Sequence, residues 1–191
     1  MSRASRNQAL VSNKWVEVTG TEDNFVVRVE LAAAPRPTKV FTATSTYVRA
    51  ADGAEVEIVF GSEVLGRATG AVAVRVPRER LPALLGDETG FVTGLRAAAG
   101  DVPMTPLDLA AFRALPVDRI VHMRATLIRS SYSSEDADIV FYRPIPSVMV
   151  ANRRGRLDET CVEPIVEVQL SARALFSTLH QIAEVIGEPL D

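Results

Sequence analysis

The chain has 191 residues, 47% of them hydrophobic and 24% charged, so it can bury a core in one domain or two small ones. A formal net charge of −3 gives no general electrostatic reason to expect nucleic acid or an acidic membrane as the main partner. The single cysteine, Cys161, excludes an intramolecular disulfide. Because the N-terminus is polar and the apolar runs are short, we expect a cytoplasmic protein without a membrane span.

Alternating apolar residues predict β-strands through the first half of the chain. A hairpin is expected from Trp15 to Leu31, and one strand from Val40 to Val48. An Asp-Gly turn then leads into a strand through Val56, Ile58 and Phe60, and residues 61–70 form a connection to a strand through Val72, Val74 and Val76. A short helix is expected after Pro77, weakened by Pro82.

The second half predicts a flexible segment, a linker helix, three strands and a long final helix. Residues 86–100 are small and flexible in composition, and the linker helix begins at Thr105 and ends at Leu115. The strands are expected at residues 120–128, 137–142 and 162–170, with a polar loop at 151–160. In the final helix, Ser171 is the expected N-cap and Gly187 the expected stop.

The two halves share a hydrophobic pattern. Residues 72–77 align with residues 166–171, and residues 58–60 align with residues 139–141. A duplication is favoured, although any amphipathic strand followed by a helix gives a similar pattern. The predicted fold class is α+β, a mainly antiparallel sheet structure of two repeated units, each closed by a helix. The units are residues 1–100 and 119–191, with residues 101–118 as the linker.

The C-terminal third, from Arg124 to Gly187, resembles a family of short bacterial strand-strand-strand-helix proteins of unknown function. The residues that carry the resemblance are Ser130 to Ser134, Asp138 to Phe141, Pro144 to Pro146, Val166 to Ser171, and Leu175, Leu179 and Gly187. This pattern is hydrophobic rather than chemical, so the resemblance implies a fold and no catalytic residues. The chain is about twice as long as the family's members.

No catalytic or metal-binding motif is recognisable. His122 and His180 are not accompanied by cysteines or histidines at metal-ligand spacing, so we expect no metal or cofactor. The carboxylates of the strands, such as Glu57 and Glu167, alternate with core residues and are interpreted as exposed surface charges. The protein is therefore predicted not to be an enzyme.

Two groups of residues are candidate contact sites. Arg153, Arg154 and Arg156 form a basic cluster that could bind an anion or an acidic partner, or could be a solvated hairpin tip. The final helix has a wide apolar stripe, which either packs entirely inside the chain or also forms an oligomer interface. Its members are Leu175, Leu179, Ile182 and Ile186.

Three functions remain open, and the first is preferred. It is a non-catalytic scaffold or protein-binding homo-oligomer, which could accept an extended segment by strand addition along residues 41–47. The second is a small-ligand binder or an enzyme with its site between the two halves. The third is a chaperone-like protein that holds unfolded chains.

Overall fold

The computed structural model describes residues 8–12, 16–20, 25–29, 34–65, 67–87, 90–100, 115–116, 119–145 and 162–190. The fold is α+β and contains two four-stranded, mostly antiparallel sheets. A separate three-stranded antiparallel sheet consists of β1 (Gln8–Ser12), β2 (Val16–Gly20) and β3 (Phe25–Val29). Its second and third strands confirm the predicted hairpin, whereas β1 was not predicted.

We call the two larger sheets sheet I and sheet II. Sheet II contains, in chain order, β4 (Val40–Thr42), β9 (Leu127–Ser133), β10 (Asp136–Pro144) and β11 (Val162–Ser171). Sheet I contains β5 (Ser45–Ala50), β6 (Glu55–Val64), β7 (Arg67–Pro77) and β8 (Ile120–Arg124). The spatial order is β5-β6-β7-β8 in sheet I and β4-β11-β10-β9 in sheet II, so each sheet takes one edge strand from the other half of the chain.

In each of the two strand exchanges, the chain passes from one sheet to the other between two consecutive residues. The amide of Ala43 donates to Gln169 in sheet II, and the next amide, that of Thr44, donates to Gly61 in sheet I. The two strands predicted at residues 40–48 and 120–128 are therefore each divided between two sheets, and β4 and β8 add in parallel to β11 and β7. Because of this exchange, the strands of the two predicted units do not form separate sheets.

Two helices are described, α1 (Phe91–Ala99) and α2 (Ala172–Ile186). The prediction of a flexible segment at residues 86–100 is wrong, because Asp87 accepts hydrogen bonds from the amides of Val92 (2.7 Å) and Thr93 (3.2 Å) and so caps α1. The prediction for α2 is confirmed: Ser171 caps its start and Gly187, with φ 73°, ends it.

The helix expected after Pro77 is instead a pair of 3-10 turns, Arg78–Arg80 and Pro82–Leu84. Pro82 starts the second turn, consistent with the ring's inability to continue a helix. The linker helix predicted at residues 105–115 falls almost entirely outside the described residues, and so does the polar loop at 151–160. No helix in the described part of the chain is long and apolar enough to cross a bilayer.

One hydrophobic core joins the two sheets. The rings of Phe60 in sheet I and Phe141 in sheet II meet edge to face, with centroids 5.8 Å apart. The stripe on α2 belongs to the same core, and all four residues proposed as an oligomer interface are buried: Leu175, Leu179, Ile182 and Ile186. Their side chains fill the chain's own core, which is the first of the two alternatives that the sequence left open for this stripe. Self-association stays a prediction.

Candidate functional site: a basic groove between the sheets

The edge strand β8 and the start of β11 border an open groove of about 890 Å³, which we call the inter-sheet groove. Sheet I contributes its outermost two strands to one wall. Sheet II contributes the ends of β10 and β11 and the residues before β4 to the other. The lining residues are Thr38, Lys39, Arg75, His122, Met123, Arg124, Arg143, Glu163, Pro164 and Ile165.

Cations dominate the polar lining of the inter-sheet groove. Among the described lining residues, four carry a fixed positive charge, namely Lys39, Arg75, Arg124 and Arg143, and one, Glu163, carries a carboxylate. Lys39 is exposed and its ammonium group has no hydrogen bond or ion pair with another described residue. The described lining of the groove therefore has an excess of cationic side chains, although the protein's overall charge is negative.

Each groove arginine is oriented by a carboxylate of its own sheet. Arg143 donates to Glu163 at 2.5 Å, and Arg124 donates to Glu55 at 3.3 Å. These pairs are exposed and contribute little to stability, on the order of 0 to 1 kcal/mol each. Each contact uses one terminal nitrogen of a guanidinium that has five N–H donors, so several donors remain for a ligand.

Arg75 is held more firmly, because its partner is a buried carboxylate. Glu57 is 1% exposed and lies between two arginines on adjacent strands of sheet I. Its Oε1 accepts from Arg75 Nε at 3.1 Å, and its Oε2 accepts from Arg49 Nε at 2.7 Å. The interpretation of Glu57 and Glu167 as exposed surface charges is wrong, since both carboxylates are buried beneath arginines that reach over them.

The electrostatics of this cluster keep Glu57 ionised. Burial alone raises the pKa of Glu57, but the hydrogen bonds and charges of Arg49 and Arg75 outweigh burial and leave the pKa below its ordinary value. The same hydrogen bond raises the pKa of Arg75. Glu57 is therefore a fixed anchor for Arg75 at the wall of the groove. His122 Nδ1 lies 3.9 Å from Glu57 Oε1, so the imidazole completes the polar surface on this side.

A second hollow, of about 570 Å³, lies against sheet II, and its described lining carries one cation, Arg36, and three carboxylates, Asp136, Asp138 and Glu167. Arg36 donates to Glu167 at 3.1 Å, and Ser131 donates to Asp138 at 2.5 Å. With more carboxylates than cations in its described lining, this hollow suits an anionic ligand less well than the inter-sheet groove does. The inter-sheet groove is therefore the stronger candidate.

The sequence located only part of this site. Arg153, Arg154 and Arg156, the predicted anion contacts, lie outside the described residues. His122 was placed correctly in a strand, but its position in the groove was not foreseen. The groove cations come from separate strands and from the segment before β4, so they do not form a basic cluster in the sequence. A weak signal was available in the alternation itself, because Arg75 and Arg124 sit at outward-facing strand positions.

Among the described residues, no three His, Cys, Asp or Glu side chains are grouped closely enough to hold a metal ion. Comparisons with protein families, with curated proteins and with solved structures find no match. The resemblance of the C-terminal third to short bacterial proteins consequently stays a prediction.

Proposed function

We propose that this protein is a non-catalytic binding protein that holds an acidic segment of another protein in the inter-sheet groove. The observation that carries the proposal is the convergence of Lys39, Arg75, Arg124 and Arg143 on one open cleft. Positive clefts with low-dielectric walls attract and orient anionic partners. A protein segment, rather than a compact ion, suits an open groove of about 890 Å³ whose lining includes an edge strand of one sheet and strand ends of the other.

The arginines suit carboxylates in particular. A guanidinium forms planar, charge-assisted hydrogen bonds with a carboxylate, and the free donors of Arg124 and Arg143 allow such contacts without breaking their existing pairs. Lys39 adds a charge that no described residue compensates. A partner with glutamate or aspartate side chains can therefore gain several contacts at once, each weak alone.

The proposal is tested by charge reversal in the groove. The probe is a fluorescein-labelled, end-capped octapeptide of alternating glutamate and valine, followed by fluorescence anisotropy at low and moderate salt. We expect the double variant Lys39→Glu/Arg124→Glu to bind about tenfold more weakly than the natural protein, since two favourable contacts become repulsive. Binding should also weaken as salt increases.

A matched control separates the groove from net charge. Arg67→Glu/Arg80→Glu makes the same change in total charge at two exposed arginines that do not line the groove. It should bind the peptide nearly as well as the natural protein. Absence of peptide binding, or an equal loss in both double variants, would contradict the proposed function.

The groove also supports a second candidate, a small anionic ligand. Its volume of about 890 Å³ lies within the range of small-molecule pockets, roughly 300 to 1,000 Å³, and both sheets contribute to its lining. Thermal unfolding with and without citrate or inorganic phosphate tests this candidate. A rise in the unfolding temperature that disappears in Lys39→Glu/Arg124→Glu would favour it over a protein segment.

We also propose that the chain arose by duplication of a unit of four strands. Two observations support this. Each sheet is a three-stranded antiparallel meander that receives a short parallel strand from the other half. The registers of the two middle strands, β6 and β10, also correspond. Glu57 on β6 lies opposite Arg49 and Arg75, and Asp138 on β10 lies opposite Ser131 and Gln169. An experimental structure in which β4–β7 and β8–β11 do not superpose would contradict the duplication.

A further inference from the structure

We infer that the acidic segment binds as an additional β-strand along the free edge of β8, an inference that rests on the proposed function. In the described part of the chain, β8 is the last strand of sheet I and pairs on one side only, with β7. An edge strand presents a row of backbone donors and acceptors to any extended chain that reaches it. Here that edge forms one wall of the inter-sheet groove.

The backbone groups that face the groove follow from the hydrogen bonds at the end of β8. The amide of Ala125 donates to the carbonyl of Arg75 at 2.9 Å, so the backbone N–H of Ala125 points toward β7. Because the direction of the backbone N–H and C=O groups alternates along a strand, the amides of His122 and Arg124 point away from β7. The next amide on that side, that of Thr126, donates to Tyr142 of sheet II at 2.9 Å. The outward amides thus face the space between the sheets.

Helix α2 covers the opposite edge of sheet I, whereas no described strand pairs with the outer edge of β8. On β5, the amide of Val48 donates to the side-chain oxygen of Gln181 on α2 at 3.0 Å. Thr46 on the same strand is linked to Thr178 of the helix at 3.0 Å. The sequence predicts strand addition along residues 41–47. Helix α2 blocks it over the part of this stretch that belongs to β5. In the part of sheet I that the structure describes, the unpaired edge without such helix contacts is that of β8.

The two faces of β8 specify the side chains of the added strand. On the outer face, Arg124 lies opposite Arg75 in register, so the neighbouring position on an added strand meets positive charge. On the inner face, Val121 is 48% exposed and Met123 is only partly buried, although both continue the core face of β7. The fitting occupant alternates acidic and apolar residues, with the acidic side chains over the arginines and the apolar ones extending the core.

The experiment distinguishes strand addition from simple charge attraction. Three capped octapeptides of alternating glutamate and valine are compared by anisotropy: an unmodified one, one N-methylated at every glutamate and one N-methylated at every valine. N-methylation removes the backbone donors of alternate residues while the charge stays constant. We expect at least one methylated peptide to bind about tenfold more weakly, because the donors on one edge of the added strand would face β8.

Hydrogen exchange followed by NMR gives an independent measurement on the protein. Addition of the unmodified peptide should slow exchange at the amides of His122 and Arg124, while the amide of Met123, which points toward β7, should change less. If both methylated peptides bind as well as the unmodified one and neither outward amide is protected, strand addition is wrong. The proposed function would then survive, provided that Lys39→Glu/Arg124→Glu still weakens binding. If no peptide binds, both proposals are wrong.

Discussion

Glu57→Gln should destabilise the protein, because it removes the negative charge from a buried site between two arginines. The carboxylate accepts hydrogen bonds from Arg49 and Arg75 and is 1% exposed. Hydrogen bonds to a charged group are worth roughly 1.5 to 3 kcal/mol each, but the two arginine side chains are 51% and 36% exposed, and solvent weakens both contacts. Glutamine retains one acceptor oxygen and places an amide donor against guanidinium donors. We expect a loss of about 2 kcal/mol.

The loss should depend on pH in a defined direction. The folded protein lowers the pKa of Glu57 below its ordinary value of 4.5, so ionisation of Glu57 stabilises the fold above that value. This contribution disappears as the pH falls through the folded pKa. The difference in unfolding free energy between the natural protein and Glu57→Gln should consequently be largest near neutral pH and shrink below about pH 4.

Urea denaturation at several pH values measures the loss of unfolding free energy and its pH dependence, and thermal unfolding measures the melting temperature, both followed by circular dichroism. At neutral pH the melting temperature should fall by roughly 4 to 8 °C, given about 2 to 4 °C per kcal/mol for a chain of this size. Glu55→Gln is the matched control, since Glu55 lies on the same strand and pairs with the exposed Arg124. It should cost about 0.5 kcal/mol. If Glu57→Gln costs no more than Glu55→Gln, or if its effect is independent of pH, our account of the buried carboxylate is wrong.

Three further variants test the packing around the sheets. Gly94→Ala should destabilise the fold by about 1 to 3 kcal/mol despite alanine's higher helix propensity, because the added methyl group would overlap the Tyr132 hydroxyl; thermal unfolding measures this. Gln181→Ala should accelerate hydrogen exchange at the Val48 amide, because it removes the acceptor that closes the β5 edge. Leu65→Asn should stabilise the protein by about 1 kcal/mol in urea denaturation, since Leu65 is 99% exposed with φ 52°.

Each of these variants has a control or a contradicting result. Gly86→Ala adds a methyl group in open space and should leave stability nearly unchanged, so an equal loss in both alanine variants would exclude the overlap as the cause. Glu184→Ala changes an exposed residue of α2 and should not alter exchange at Val48. A loss of stability in Leu65→Asn would show that the leucine makes a contact that outweighs its backbone conformation.

Local patterns in the sequence were sufficient for the individual elements. The alternation through Val56, Ile58 and Phe60 predicted β6, and Ser171 and Gly187 predicted both ends of α2. These succeed because the side-chain period of a strand and the capping of a helix depend on neighbouring residues. Helix α1 was missed because its cap comes from Asp87, several residues before the helix and followed by Gly90 in a left-handed conformation.

The assignment of strands to sheets and the composition of the groove were decided only by the tertiary structure. The alternating pattern does not change where β4 passes into β5, because a strand keeps the same period whichever sheet it pairs with. The sequence shows each basic residue of the groove but not that these residues are close in space. Lys39, Arg75, Arg124 and Arg143 become neighbours only when the two sheets exchange strands. The sequence by itself determined the elements and their buried faces, which are local properties. The exchange of strands depends on pairing between segments that are distant in the sequence. Because this pairing brings the groove residues together, only the tertiary structure determined the site.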